Sequence, residues 1–429
     1  MTHPCNPYPE VAVIGGGAAG FFLAIHLKRT CPETRVTILE RSRRLMAKVR
    51  ISGGGRCNLT NSFASVGDLS QVYPRGHRLM GRLLHRFGPQ QAFGWFETHG
   101  VPLVTQDDDC VFPRSQDSAS VIACLLGEAR SAGVEVQTQH AVRSVAPHTS
   151  GRLEVSFADG RPPQFFDKVA LTTGGAPHGE GHSWLAALGH RIEPPCPSLF
   201  TFTVREPRLT ALTGIVAEEA QVALAGTKFR AAGPLLITHW GLSGPAVLKL
   251  SSYAARHLNE CGYRARLSVC WAGQPDTGTV ADRLKTLVAG SPRRKLAALR
   301  PYGLQGRLWV YLLQRTGIAP DRTCGETGSK SINRLAAILT ADNYDIDGRS
   351  SCREEFVTCG GVSLRSVNPA TLESRHTPGL FFAGEVLDID GITGGFNFQA
   401  AWTTAYTAAT AMSADSLLSV MPDKKRHRS

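Results

Sequence analysis

Short apolar runs that end in glycine set the pattern at the start of this chain. Glu10 to Ile14 is such a run; Ala18 to Thr30 then places Phe21, Phe22 and Ile25 on a helical face, and Arg35 to Glu40 alternates as a strand does. Strand, tight turn, helix and strand in that order predict a βαβ unit. Val134 to Gln139, Ala141 to Val145 and Leu153 to Phe157 predict a small antiparallel meander, and Lys168 to Thr172 a buried strand. The proline-rich stretch EPPCPSLF, Glu193 to Phe200, marks a boundary. Beyond it, to about Ser351, come short strands separated by Gly/Pro turns and then amphipathic helices around Leu284 to Arg315. After Glu355 the strand-and-loop style returns: PGLFFAGE, Pro378 to Glu385, predicts a parallel-sheet strand ending in glycine, and an Ala-rich helix is expected at Gln399 to Met412. The expected organisation is one domain split by an insert. Residues 1–193 and 355–412 form its two parts, 194–354 are inserted, and 413–429 form a basic tail containing KKRHR.

Composition narrows the setting. No apolar run approaches the roughly 20 residues of a membrane span, and Met1 to Glu10 lacks the plan of a signal peptide, so a cytoplasmic protein with no membrane partner is expected. The eleven cysteines form no CxxC pair and no cluster with metal spacing, which argues against a structural metal and fits a reducing compartment. Lys plus Arg outnumber Asp plus Glu by 47 to 35, a formal charge of +12. Such a field attracts polyanions, so RNA, DNA or acidic substrates join the candidate partners beside the alternative of a solvated basic surface.

Four segments carry candidate chemistry. In VAVIGGGAAG, Val11 to Gly20, Gly15, Gly17 and Gly20 have GxGxxG spacing between a strand and a helix. The first makes the turn, the second admits a pyrophosphate, and the third packs helix on sheet; the phosphates would rest on unpaired N–H groups at the positive end of the helix. Glu40, followed by Arg41, closes the second strand 20 residues after Gly20, where a carboxylate can accept both adenosine ribose hydroxyls, which disfavours a 2′-phosphate. In ISGGGRCNLTN, Ile51 to Asn61, backbone can approach a flat or anionic ligand; Arg56 could hold phosphate, Asn58 lies beside it, and Cys57 is either a poised thiol acid or a buried inert cysteine. VALTTGGAP, Val169 to Pro177, offers Thr173 and Gly174 at a strand end, suited to close passage of a cofactor or to an ordinary turn. In GLFFAGEVLDIDGITGGFNFQAAW, Gly379 to Trp402, Gly384 and Glu385 end a strand, and Asn397, Phe398 and Gln399 open the last helix, whose positive end could stabilise a reduced flavin. Asp388 and Asp390 read as loop carboxylates, and His178, His182, His190 and His239 have neither ligand nor triad spacing.

Together these segments resemble a bacterial FAD-dependent flavoprotein family with aminoacetone oxidase-like, bile acid reductase-like and ribosomal RNA dihydrouridine synthase members. The likeness runs from about Val11 to Ala405 and rests on ISGGGRCNLTN, on FVTCGGVSLRSVNPATLESRHTPGLFFAGEVLDIDG and on GGFNFQAAW. It implies an α/β, Rossmann-like two-dinucleotide-binding-domain flavoprotein fold with an inserted β-barrel-like plus helical domain. It also implies that Gly17 to Ala19 and Glu40 hold the ADP half of FAD, that Val142 contacts adenine, and that Glu385 with Asn397 to Gln399 surrounds the riboflavin half. The loop HGEGHSW, His178 to Trp184, and Cys359 before Gly360 depart from the family pattern. The expected activity is reduction of an electron-poor C=C bond, with NADH or NADPH as transient donor. The leading substrate is a ribosomal RNA uridine, with Cys57 as acid and Arg75, Arg78, Arg82, Arg86, Arg293, Arg294 and Lys295 holding phosphates. The alternative is a small-molecule amine oxidase or steroid or bile acid enone reductase.

Overall fold

The computed structural model describes residues 8–176, 183–349 and 357–420, with 415–420 placed by backbone alone. It divides into two compact units, residues 1–196 with 356–429, and residues 197–355. The KKRHR tail and most of HGEGHSW lie outside the described residues.

The first unit is built on a parallel sheet. Strands β1 (Glu10–Ile14) and β2 (Arg35–Glu40) pair in register Val11↔Val36 and Val13↔Ile38. Strand Lys168–Leu171 lies on the other side of β1, and Leu380–Phe382 pairs beyond it, Val169↔Leu380. Val11, Val13, Val169, Leu380 and Phe382 are buried, as in a sheet covered on both faces. The fifth strand, Glu135–Thr138, corrects the meander read from the sequence. It runs parallel to β2, Glu40↔Thr138, because the helix Ser118–Ser131 before it provides the crossover that a parallel neighbour needs. The antiparallel meander is Val142–Pro147, Leu153–Phe157 and Gln164–Phe166.

Helix α1 (Ala18–Thr30) packs along the last helix, which runs from Phe396 to Val420, longer at both ends than the sequence reading. Between them Phe22 meets Trp402 at 5.1 Å, Phe87 at 5.2 Å and Trp95 at 4.9 Å. His26, one turn after Phe22, is packed into the same aromatic group, with its Nε2 buried and unpartnered. Burial, with Arg29 and His99 adding to it, lowers its pKa to about 4. The unfolded chain takes up this proton near pH 6.5 and the folded chain resists it to about pH 4, so the contribution is complete above 6.5 and shrinks as pH falls through that window. The loss at pH 4 should approach about 3 kcal/mol as an upper bound. Urea titrations between pH 7 and 4 check this: His26→Phe should flatten the slope, and an unchanged slope would refute the assignment.

The Pro-rich boundary is not a linker. Ile192–Ser198 is a strand paired with Val357–Val362, and the units divide after Cys196, inside that strand. A two-stranded ribbon tolerates proline because each strand has a free edge. The second unit is a closed six-stranded barrel. Its order is Phe202–Val204, Gly241–Ser243, Arg230–Thr238, Val216–Leu224, Ala265–Cys270 and Asp342–Arg349, the last returning to the first. Helices Thr277–Ala289, Gly306–Arg315 and Ser329–Thr340 share its core through Leu284, Leu308, Trp309, Leu312 and Leu335. Inside it, the fully buried Asp342 accepts from Trp271 Nε1 at 3.0 Å, from Arg315 Nη2 at 2.7 Å and from the Tyr344 hydroxyl.

Candidate cofactor site

The glycine turn after β1 is held by its neighbours. Gly15 N–H donates to Leu39 O at 2.8 Å, and Thr172 Oγ1 donates to the carbonyls of Ile14 and Gly15, both at 3.0 Å. A Cβ on Gly20 would lie 2.0 Å from Gly15 O, so only glycine lets α1 come this close to the turn. Gly17 caps α1 in extended conformation, and a Cβ there would face open space. The N–H groups of Ala18 and Ala19 open the helix, where no intrahelical acceptor exists. The Glu40 carboxylate accepts from Gly16 N–H and Ser42 N–H, each at 2.8 Å, and so braces the turn it was expected to complement. A carboxylate offers about four acceptor positions, which leaves room for a ribose hydroxyl. Arg41 is exposed. His140 N–H donates to Glu40 O at 2.8 Å, which places the meander strand starting at Val142 next to the end of β2.

The second and fourth segments, more than 330 residues apart, meet. With its side-chain amide turned so that both atoms find partners, Asn58 donates to Thr60 O at 2.9 Å and accepts from Gly395 N–H at 3.2 Å. Asn61 Nδ2 donates to Gly394 O at 3.1 Å, Trp402 Nε1 to Leu59 O at 2.9 Å, and Thr60 Oγ1 to Gln399 Oε1 at 2.6 Å. Between Ile51 and Arg56 the chain turns on three successive left-handed glycines, Gly53, Gly54 and Gly55, with φ of 57°, 69° and 87°. A Cβ on Gly54 would meet nothing, so this loop lies bare on one side.

Several side chains do other work than the sequence suggested. The Arg56 guanidinium lies 4.2 Å from the Phe112 ring centre and donates to Gly53 O and Gln116 Oε1, and so braces its own loop. Gln399 is fully buried, its oxygen taken by Thr60 and its nitrogen donating to Thr403 Oγ1 at 3.0 Å and Phe87 O at 3.3 Å. Asn397 holds the loop before it, accepting from Gly391 N–H at 2.8 Å and donating to Gly391 O at 2.9 Å. Of the three residues that open the last helix, Phe398, half-buried and stacked at 5.8 Å on Trp402, is the one with a side-chain face not tied up in such bonds. Asp390 is no ordinary loop carboxylate. It is fully buried and holds Arg75 in a two-pronged ion pair, which takes Arg75 out of the set of phosphate-holding cations. Arg78, Arg82 and Arg86 remain exposed, four residues apart, as do Arg293, Arg294 and Lys295 in the second unit.

Cys57 is fully buried in a left-handed conformation, φ 64°, and burial pushes its thiol up to about 12. The thiol stays protonated at neutral pH, which corrects the reading of a poised, acidic cysteine. Small alkylating reagents at pH 8 should label the exposed Cys261 and leave Cys57 untouched over the same interval. Peptide mass spectrometry reads this directly, and fast labelling of Cys57 would refute the burial argument.

Glu385 ends strand Leu380–Phe382 after Gly384, whose N–H donates to Thr404 Oγ1 at 2.9 Å. Its Oε1 accepts from Thr358 N–H at 2.7 Å, and its Oε2 accepts from Lys48 Nζ at 2.6 Å. Gly174, with φ 77°, is close enough that a Cβ there would lie 3.5 Å from Glu385 Oε2, which brings the Thr173–Gly174 strand end to the same place. Sequence reasoning missed Lys48 and Thr358. Thr358 lies inside a quoted string but had no visible role, and Lys48 stands four residues before the glycine loop with nothing to distinguish it from other basic residues.

These residues fit FAD. Thr358 Oγ1 is buried with no hydrogen-bond partner, next to Gly175, in a residue only 1% exposed. An orphaned hydroxyl of this kind calls for a polar ligand atom. It sits beside Gly175 and the Glu385 carboxylate, and Gly384, the residue before Glu385, packs against Ala19 in the first turn of α1.

Fold and site together define an FAD-dependent oxidoreductase of the Rossmann class with an inserted barrel and helical unit. The chain belongs to the family described as HI0933-like protein Rossmann domain, whose match spans residues 9–411. It is 29% identical to the 3-dehydro-bile acid delta(4,6)-reductase of Clostridium scindens over 411 residues, 94% of this chain and 98% of that protein. It is also 29% identical to the ribosomal RNA dihydrouridine synthase of Escherichia coli, across 93% of this chain and 97% of that one. These names agree with the resemblance drawn from the sequence. Among solved structures, 3-ketosteroid delta1-dehydrogenase from Sterolibacterium denitrificans shares the fold at a TM-score of 0.50 and 13% identity, covering 95% of this chain and 100% of that one. Among the described residues no helix is long and apolar enough to cross a membrane.

Proposed function

We propose that this chain reduces a carbon–carbon double bond conjugated to a carbonyl, with FAD held in the first unit and NADH or NADPH as the transient donor. Bound there, FAD supplies the hydride. The observation that carries the reading is the glycine turn opening α1, with Gly384 packed against Ala19 and Glu385 held by Thr358 N–H and Lys48. The two kinds of relative support the bond type. A delta(4,6) bond in a 3-dehydro-bile acid is an enone, and making dihydrouridine reduces the C5=C6 bond of a uracil.

The substrate we put first is a uridine in ribosomal RNA. The formal charge of +12 and the row Arg78, Arg82 and Arg86 suit a polyanion, whereas a bile acid with its single carboxylate calls for no such row. The closeness in length and identity to the bile acid reductase favours a small enone as the second reading. The purified protein should carry one FAD per chain, and ribosomal RNA from a deletion strain should lack a dihydrouridine that the enzyme restores with a reduced nicotinamide. Unchanged dihydrouridine in that strain, with rapid and salt-insensitive reduction of an enone, would move the assignment to the small molecule. Purified protein that takes up no FAD would end both readings.

A further inference from the structure

We propose that Lys48 is a diphosphate-binding residue of the cofactor site, whose ammonium neutralises Glu385 and the cofactor's phosphates at once; this rests on the FAD reading above. Helix α2 (Ala47–Ile51), which carries Lys48, is fastened to the fingerprint loop: Met46 N–H, immediately before it, donates to Gly16 O at 2.9 Å. From there Lys48 Nζ reaches Glu385 Oε2 at 2.6 Å. Glu385 in turn lies against the first turn of α1, since a Cβ on the preceding Gly384 would come within 2.9 Å of the Ala19 Cβ. Lys48 therefore bridges the space bounded by the Gly16 loop, the opening N–H groups of α1 and the Glu385 carboxylate. Thr358 N–H holds the other oxygen of Glu385, and its buried hydroxyl, without a hydrogen-bond partner, lies beside Gly175.

The charges explain why a cation is needed. A diphosphate resting on α1 would bring two negative charges next to a carboxylate whose side chain is only 19% exposed, and like charges at such range repel. Lys48, with 48% of its side chain exposed, keeps enough freedom to turn between carboxylate and phosphate. Its contribution to the stability of the empty protein is small, as for other ion pairs with an exposed partner.

The test titrates FAD, ADP and riboflavin into the full chain after flavin removal. Lys48→Met should weaken FAD and ADP by about ten- to a hundredfold, the range of a charge-assisted hydrogen bond. Riboflavin has no phosphate and should be unaffected. Lys48→Arg should recover most of the affinity, and in a Glu385→Gln background the Lys48→Met loss should be smaller. The melting temperature of the flavin-free protein should not move. Equal FAD affinity in Lys48→Met and the parent overturns the proposal and leaves the FAD reading intact. An equal loss for riboflavin overturns it too, by showing a general distortion. A parent protein that takes up no FAD overturns the underlying reading instead.

Discussion

Arg75→Ala should destabilise the first unit by about 3–5 kcal/mol, because it strands a buried carboxylate. The side chains of Arg75 and Asp390 are 11% and 0% exposed, and their pairing is two-pronged. Without Arg75, an ionised Asp390 that no water reaches would lose the guanidinium that offsets its charge. Asp388 is near enough to Arg75 to act on its charge as well, so the arginine serves two carboxylates. Asp390→Ala should cost less, because Asp388 remains near Arg75. Replacing both, Arg75→Met with Asp390→Leu, should recover most of the loss, since burying two apolar side chains incurs no charge-desolvation penalty. Urea denaturation of the three variants measures this. A loss below about 1 kcal/mol in either single variant would mean that water reaches the pair.

Gly395→Ala should have the second largest effect, and it should also remove the flavin. An added Cβ would lie 2.1 Å from Thr60 O, a backbone atom that cannot turn aside, at a residue whose φ of 89° already disfavours a side chain. Strain and overpacking together should cost about 2–4 kcal/mol. The Gly395 N–H that Asn58 accepts would be displaced, and with it the join between the glycine loop and the last helix. Gly54→Ala is the matched control. It shares the left-handed backbone, φ 69°, but its Cβ would meet nothing, so it should cost only about 1–2 kcal/mol. Flavin-to-protein ratios and denaturant midpoints should therefore separate the two alanines. Equal behaviour would show that the clash with Thr60 is relieved by movement.

The difference between these two glycines shows what a sequence can and cannot disclose. The fingerprint was legible because its residues are neighbours along the chain: strand, turn, helix and acid appear in order, and local spacing dictates the geometry. The parallel strand at Leu380–Phe382 was legible from its apolar run and terminal glycine. Glu135–Thr138 was misread because EVQT has the alternation of an antiparallel strand, while its pairing is decided by the helix before it. The internal partners of Gln399, Asn397, Asp390 and Arg56 were hidden for another reason. Each is polar and near a motif, but its partner, Thr60, Gly391, Arg75 or Phe112, is chosen by tertiary contact. A polar side chain does not announce whether it faces a ligand or a neighbouring backbone. Cys57 shows the same limit, since its cationic sequence neighbours suggested an acidic thiol and its actual surroundings are dry.

The interruption of the first unit has a consequence during synthesis. The pairing partner of Lys168–Leu171 on its open side is Leu380–Phe382, which leaves the ribosome more than 200 residues later. The inserted barrel closes when Asp342–Arg349 reaches Phe202–Val204, so it can be complete while the older part of the chain still waits for its last strand and helix. Through that interval the edge of Lys168–Leu171 presents unsatisfied backbone groups to whatever else is nascent nearby, the circumstance in which strand exchange between chains begins. The barrel's early closure shortens the danger by drawing Ile192–Ser198 and Val357–Val362, its entry and exit strands, to within pairing distance before Leu380–Phe382 has emerged.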